Sequence, residues 1–169
     1  TRRRLVGAAA LCVVRWGAAL ARMNVKNEDE PWDAAFAHAL GAAAVASASL
    51  AELSVDGFAL PIRQLKGTEP VVALDLSSKG LDVASAVVIA KCIEVNGVLT
   101  SLDLSDNELC GRRGDQTAGI VAIAEALKVN SVLTSLNLFG NQIGVEGGKA
   151  IAAALHVNSV LTSIDLSNN

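Results

Sequence analysis

Aromatic residues make up only 3% of this 169-residue chain, and tyrosine is absent. A core without many rings has to be filled by aliphatic side chains, and hydrophobic residues, many of them alanine, account for 51% of the sequence. We therefore expect an interior of leucine, isoleucine, valine and alanine packed in regular layers. The length is enough for one domain with a buried core.

Cysteine and histidine are also scarce, at three and two residues. Cys12, Cys92 and Cys110 form no Cys-x-x-Cys pair, and two histidines are too few for an ordinary zinc site. The odd number of cysteines and the lack of an Asn-x-Ser/Thr sequon favour a reducing compartment. We expect no metal, no cofactor and a cytoplasmic location.

The net charge is only −3, but it is distributed unevenly. Residues 1–26 hold six basic and no acidic residues, whereas the remainder carries a net charge of −9. A body of that sign does not suit nucleic acid, which requires clustered positive charge. Residues 34–51 are uncharged, but alanine and serine give them too little apolar weight to span a bilayer. Neither nucleic acid nor a membrane is therefore an expected partner.

The N-terminal segment has two interpretations, which the sequence leaves open. Apolar residues 5–14 follow three arginines, and Arg4, Arg15 and Arg22 would lie within about 20° of one another on a helix. Such a stripe fits an organelle-targeting helix. It equally fits the solvent face of an ordinary repeat helix, which we favour because composition easily imitates a leader.

An internal repeat dominates the sequence. Its copies read Leu-x-x-Leu-x-Leu-x-x-Asn-x-Leu, with Lys79 in place of the first Asn, and their starts are 28, 34 and 28 residues apart. Each complete copy is followed by a run of helical period and then by Val-Asn-(Gly/Ser)-Val-Leu-Thr. The copies are residues 71–81, 99–109, 133–143 and 161–169.

The spacing within a copy predicts its structure. Leu102 and Leu104 are two residues apart and share one face of a strand, whereas Ile123 and Leu127 are four apart and share one face of a helix. Neither element can bury its apolar face alone, so neighbouring copies must stack. We predict parallel strands near residues 72–76, 100–104, 134–138 and 162–166, and helices near 85–95, 118–129 and 147–157.

Weaker copies precede the regular ones. Residues 50–55, with Leu60 beyond them, fit the strand template and follow a helical stretch at 32–49. Residues 20–25 fit it too, with residues 5–17 as their helix. Only 21 residues separate Leu50 from Val71, and they include Pro61 and Pro70, so we expect a short, irregular connection there. The expected parts are an Ala-rich helical region that can hold degenerate repeats (1–49), a degenerate repeat (50–70) and regular repeats (71–169).

This pattern resembles the leucine-rich repeats of the ribonuclease-inhibitor type, which also occur in NOD-like receptors and in the Ran GTPase-activating protein. The resemblance is strong over residues 71–169. It implies an α/β solenoid, a horseshoe with parallel strands on the concave side and helices on the convex side. Because residue 169 falls in mid-repeat, we also expect more repeats or a longer protein.

The resemblance further implies that the chain binds a partner protein, whose identity and whose effect on oligomeric state it does not give. We expect a non-catalytic interaction scaffold. The alternatives are a GTPase-activating regulator of the Ran-regulator type and a sensor fragment of a NOD-like receptor.

Strand residues that point away from the core are the candidate partner-binding surface. They form columns along the repeats and are mildly acidic and rich in hydroxyls, although any solenoid needs soluble residues there. Phe139 is the one large apolar member and a candidate anchor. The columns comprise Asp75, Ser77, Ser101, Asp103, Ser105, Ser135, Asn137, Phe139, Ser163, Asp165 and Ser167.

The insert at residues 110–118 is a second candidate contact, through Arg112 and Arg113. The blander interpretation, a surface insertion that the fold tolerates, is the one we favour. We expect no enzyme. His38 and His156 lie on Ala-rich helices without acidic or nucleophilic neighbours at helical spacing, and the aspartates recur once per repeat, as architecture does.

Asparagines recur at two places in the repeat. Where the chain leaves each strand, an Asn amide can satisfy backbone groups of the turn. After each helix, Asn tolerates the left-handed conformation that often ends one. The first set is Asn107, Asn141 and Asn169, and the second is Asn96, Asn130 and Asn158.

Overall fold

A computed structural model describes residues 21–25, 33–55, 57–111 and 113–169. The elements are β1 (Arg22–Val25), α1 (Ala34–Ala46), β2 (Glu52–Val55), β3 (Ala59–Pro61), α2 (Ile62–Leu65), β4 (Ala73–Asp75), α3 (Val83–Ile93), β5 (Ser101–Asp103), α4 (Ala118–Val129), β6 (Ser135–Asn137), α5 (Gly144–Val157) and β7 (Ser163–Asp165). The predicted helix at residues 5–17, with the targeting segment, lies outside the described residues. No helix in the described part is long and apolar enough to cross a membrane.

Each regular repeat contributes one short strand, and the four strands pair in parallel in the order β4-β5-β6-β7. The register sets equivalent residues side by side, with Leu102 opposite Leu74 and Leu136. This confirms the predicted parallel sheet. Helices follow at the predicted places: α4 matches at both ends, and α5 begins at Gly144, three residues earlier than expected.

The core is one aliphatic cluster that runs through the described residues from Phe36 to Ala154. On the sheet side, Leu102, Leu104, Leu136 and Leu138 are at most 1% exposed, and burial stabilises each by about 1.5–3 kcal/mol. The helices pack in sequence, α1 on α3, α3 on α4 and α4 on α5. The expected layers of Leu, Ile, Val and Ala are present.

Two glycines allow neighbouring helices to approach closely. A Cβ atom at Gly119, in α4, would overlap the carbonyl oxygen of Leu109 and lie 2.8 Å from the Cβ of Ala86. At Gly147, the equivalent position of α5, it would lie 2.9 Å from the Cγ2 of Ile120. The helix layer is therefore close-packed where it meets the preceding repeat.

The N-terminal part departs from the repeat. β1 and β2 pair in parallel, with Met23 opposite Leu53, as the weak copies predict. β3 then runs antiparallel to β2, with Leu60 opposite Leu53, and this sheet ends there without hydrogen bonds to β4. The expected irregular connection is therefore wrong at residues 59–65, which form a strand and one helical turn, and that strand is antiparallel, unlike those of the horseshoe that the resemblance implies.

The physical reason for this departure is chain length. A parallel crossover needs a dozen or more residues, while an antiparallel return needs only a tight turn. Leu60 and Ile62 are fully buried, so the returning chain adds to the core. Pro61 is the last residue of β3, at the free side of the sheet, where its missing N–H costs no ladder bond.

Candidate functional site

The outward side chains of β4–β7 and of the residue two positions beyond each strand lie together on one side of the sheet, and we call this the strand face. Its columns follow the strand register, so that Asp75, Asp103, Asn137 and Asp165 are lateral neighbours. Ser101, Ser135 and Ser163 form the adjacent column. Residues of the outer strands β4 and β7 are exposed, and those of β5 and β6 are half-buried.

Ser105 is the member that does not fit a contact surface. It is only 8% exposed, and its hydroxyl donates to Oδ1 of Asp103 at 2.6 Å. Its role in the structure is to hold the aspartate. The expectation that every residue of these columns is open to a partner is therefore corrected at Ser105.

Three repeats contain the same Asp-x-Ser hydrogen bonds. In the first, the backbone N–H and the hydroxyl of Ser77 donate to Oδ1 of Asp75 at 2.9 and 2.6 Å. Asp165 and Ser167 repeat this at 2.8 and 2.6 Å. One carboxylate oxygen is thus held by the turn that follows the strand, which fixes the side chain. The recurring Asp-x-Ser spacing was the sequence signal for this arrangement, and our sequence reasoning missed it.

The same hydrogen bonds favour the ionised form of two exposed carboxylates. The pKa of Asp75 lies below its ordinary value, first because of the hydroxyl of Ser77 and then because of its N–H. The pKa of Asp165 is lowered in the same way by Ser167. Donors to a carboxylate favour its charged form.

The third repeat replaces this pair by Asn137 and Phe139. Oδ1 of Asn137 still accepts the N–H of Phe139, at 3.0 Å, while its Nδ2 donates to Oδ2 of Asp103, also at 3.0 Å. The amide of Asn137 therefore donates to the carboxylate oxygen of Asp103 that does not accept hydrogen bonds from Ser105. The acidic column is interrupted there, beside the half-buried ring of Phe139.

The asparagines that follow the strands, which we call the strand-exit asparagines, bond each repeat to the one before it. They are Asn107, Asn141 and Asn169. Nδ2 of Asn107 donates at 2.9 Å to the carbonyls of Leu76 and Leu104, which belong to successive repeats. Its Oδ1 accepts the N–H groups of Lys79 and Leu81 at 3.0 Å. Because the side chain is only 4% exposed, these bonds are made away from water.

Asn141 and Asn169 continue this series. Asn141 donates to the carbonyl of Leu104 at 2.8 Å, and Asn169 donates to that of Leu138 at the same distance. Each side-chain amide also donates to a carbonyl of its own repeat, so it bonds to two successive turns.

The asparagines that follow the helices, which we call the helix-exit asparagines, are Asn96, Asn130 and Asn158. They do not adopt the left-handed conformation, so that prediction was wrong. Asn130 and Asn158 are extended, with φ of −71° and −77°. Their side chains make the turn instead: Oδ1 of Asn130 accepts the N–H groups of Val132 and Leu133 at 3.0 and 2.7 Å. The chain must run directly into the next strand, and the side-chain turn allows this without a left-handed residue.

Left-handed residues occur after the strands. Ser78, Asp106, Gly140 and Asn168 share one position of the repeat and have φ between 52° and 66°. A Cβ at Gly140 would lie 2.7 Å from Oδ1 of Asp106, so neighbouring turns also pack closely.

The insert is folded against the next repeat. The N–H groups of Gly111 and Gln116 donate to the carbonyls of Glu108 and Cys110 at 2.8 and 3.0 Å. A Cβ at Gly114 would lie 2.9 Å from the carbonyl oxygen of Gln142. Arg113 is exposed, whereas Arg112 lies outside the described residues. A contact of this insert with a partner stays a prediction.

Within the described residues, no group of three or more His, Cys, Asp or Glu side chains is placed to hold a metal ion. Burial raises the pKa of Cys92 to about 12 and that of Cys110 to about 11. Both thiols therefore stay protonated near neutral pH, the form that is not nucleophilic. His38 and His156 are exposed on separate helices.

The family model for "Leucine Rich repeat" matches residues 95–109 and 129–152. The two matched segments include β5 and β6 with the asparagines on either side of each strand, which is the repeat found within the chain. The match is to leucine-rich repeats in general and does not distinguish the ribonuclease-inhibitor type. No curated protein matches the chain.

Two solved structures are similar to it. Leiomodin-1 actin-binding site 2 is 20% identical, with 92% of this chain and 75% of that chain covered and a TM-score of 0.46. The tropomodulin C-terminal domain of Caenorhabditis elegans is 13% identical, with 96% and 82% covered and a TM-score of 0.48.

Proposed function

Since the chain carries leucine-rich repeats, we propose that it is a non-catalytic scaffold that binds a partner protein through the strand face, the concave side of a horseshoe. The observation that supports this most is that hydrogen bonds hold the side chains of the strand face in place. Its aspartates are held by hydrogen bonds within their own repeats. The strand-exit asparagines, of which Asn107 and Asn141 are buried, bond to the turns that follow the strands.

Order of this kind favours binding, because side chains that are already fixed lose little entropy when a partner arrives. Neighbouring strands are about 4.8 Å apart. Asp75 and Asp165, three strands apart, would therefore present carboxylates separated by about 14 Å. A partner with basic groups at that spacing fits the two ends of the strand face, and the charges would set its orientation and association rate.

Phe139 supplies the apolar part of this contact. It lies in the column of Ser77 and Ser167, beside the amide of Asn137 and between two acidic repeats. Binding anchors are often aromatic side chains near the centre of an interface, so this ring is the candidate anchor. In this proposal Arg113, with Arg112, adds contacts at the side of the strand face where the insert packs on Gln142.

The experiment is site-specific photocrosslinking in native extract. A photoreactive residue replaces Ser135, on the strand face, or Val145, which is 75% exposed on α5. We expect a discrete adduct from position 135 that excess unlabelled wild-type protein competes away, and none from position 145. Adducts from position 145 alone would contradict the proposal, and accelerated GTP hydrolysis by the crosslinked partner would indicate a GTPase-activating role instead.

A further inference from the structure

The helix-exit asparagines reach back to fixed acceptors of the preceding repeat. Nδ2 of Asn130 donates to the carbonyl of Ile93 at 2.7 Å and to that of Asn96 at 3.3 Å. Asn158 donates to Leu127 at 2.6 Å and to Asn130 at 3.4 Å. The acceptors are thus the preceding Asn and the residue three positions before it, at the carboxyl end of the helix.

The equivalent acceptors at the end of α1 are Ala44 and Ser47, since Ser47 precedes Leu50 as Asn96 precedes Leu99. The shortened connection has no Asn to reach them. Instead, Nζ of Lys66 donates to the carbonyl of Ala44 at 3.4 Å and also donates to that of Ser47. An ammonium therefore does here what an amide does in the regular repeats.

This ammonium is enclosed. Lys66 is 7% exposed, and no salt bridge among the described residues includes it. Burial is the main cause that lowers its pKa, although the neighbouring Cys92 acts in the opposite direction. The carbonyls that it contacts carry the negative end of the helix dipole, which favours a cation.

Two other links of the regular repeats are missing at the junction between residues 33–61 and the chain that follows. Asn96 does reach back, but only to α2, where it donates to the carbonyls of Gln64 and Leu65 at 3.0 and 2.9 Å and so ties that turn to the regular repeats. β3 and β4 are not hydrogen bonded. The strand-exit Asn is replaced by Lys79, whose Nζ lies 5.8 Å from the ring centroid of Phe58. Two lysines thus stand where two asparagines and a strand ladder join the regular repeats.

We propose that the junction is an opening plane, at which α1, β2 and β3 separate from the regular repeats as one unit, and that Lys66 is the latch that holds this unit closed. The hydrophobic core continues across the junction, so the closed form predominates. Besides the bonds of Lys66, the hydrogen bonds across this plane include that of the Ile62 N–H to the carbonyl of Ala51 and an exposed one from Arg63 to the carbonyl of Ser49. No strand ladder reinforces them, and local opening occurs where such links are few.

Hydrogen exchange of the full chain tests this proposal, with Lys66→Met as the variant. Methionine keeps an unbranched apolar side chain and removes the donor. A hydrogen bond to a charged group contributes about 1.5–3 kcal/mol, so amides of residues 34–55 should exchange at least roughly tenfold faster. Amides of residues 99–165 should stay within about twofold of wild type.

Lys91→Met is the matched control. The stem of Lys91 also packs on α1, because a Cβ at Gly41 would lie 2.9 Å from its Cγ, but its ammonium is paired with half-buried Glu94 at 2.7 Å. Exchange at residues 34–55 should therefore stay within about twofold of wild type. Equal acceleration by both variants, or none by Lys66→Met, would overturn the latch.

A measurement on the wild type covers the case in which Lys66→Met does not fold. Under native conditions with increasing denaturant, amides of residues 34–55 should converge on one opening reaction that precedes the opening of residues 101–165. A single common opening for both regions would overturn the proposal.

Discussion

The regular repeats and the N-terminal part share one hydrophobic core but are joined in different ways. From Ala73 onward, each repeat meets the next through a parallel strand, a strand-exit Asn and a helix-exit Asn. Where the N-terminal part meets these repeats, an antiparallel strand, Lys66 and Lys79 take these places. The difference shows that the apolar core can continue across a break in the repeat, whereas the polar links between repeats depend on a repeat of regular length.

The largest expected effect is in the core of the regular repeats. Leu136→Ala should lower the free energy of unfolding by about 2–5 kcal/mol, because it removes a side chain that is 1% exposed and leaves a cavity. Ser135→Ala, one residue away on the strand face, should change it by less than about 0.5 kcal/mol. Denaturant titration measures both, and equal effects would contradict the assignment of the two faces.

The next effect measures the amide links directly. Asn107→Ala should cost about 2–4 kcal/mol, because buried carbonyls and N–H groups of two repeats lose their partner. Asn137→Ala, at a half-buried site with two hydrogen bonds, should cost less than about 1 kcal/mol. If the two variants unfold at the same denaturant concentration, the buried asparagines are not what distinguishes the regular repeats.

A smaller effect depends on pH. The pKa of Cys92 is about 12 in the folded chain, against an ordinary value of 9.0. The folded state thus keeps the thiol protonated where the unfolded state loses its proton, so stability is complete below about pH 9 and falls as pH rises towards 12.

Unfolding curves at pH 8 and pH 10.5 check this sign. Cys92→Ala should remove part of the alkaline loss of stability, and Cys110→Ala should remove less, because the pKa of Cys110 is raised only to about 11. Alkaline loss that is unchanged in Cys92→Ala would contradict the account.

The smallest effect concerns the strand face. Ser77→Ala removes the hydroxyl that is the main cause of the lowered pKa of Asp75, so carboxyl NMR titration should show this pKa move up towards 3.8. Stability at neutral pH should change by less than about 0.5 kcal/mol, because the site is exposed. An unchanged pKa would mean that the hydroxyl does not hold the carboxylate.

The sequence was sufficient to predict the strands and helices wherever the spacing of the repeat was intact. Leucine or isoleucine residues two apart identified β4–β7, and those four apart identified α3–α5, because both patterns follow from backbone geometry. It was not sufficient at residues 56–70, where the shortened spacing could be recognised but the antiparallel return of Leu60 could not. The direction in which the chain returns depends on which apolar side chain packs into the core, and the spacing of the residues does not give this.

For the strand face, the columns could be predicted from the register of the repeats, but the burial of Ser105 and the bond between Asn137 and Asp103 could not. Both depend on contacts between strands. Lys66 was missed because a single lysine in an irregular connection carries no periodic signal, and its partners lie about twenty residues earlier.

The central claim, that the strand face binds a protein, is tested most directly by the affinity of the crosslinked partner for three forms of the chain. The account predicts that Phe139→Ala weakens binding by more than about 1 kcal/mol, or roughly fivefold. Val145→Ala, on the opposite side of the repeat, should bind within about twofold of wild type, and both variants should unfold as wild type does. Equal affinities for all three forms would show that the partner binds elsewhere.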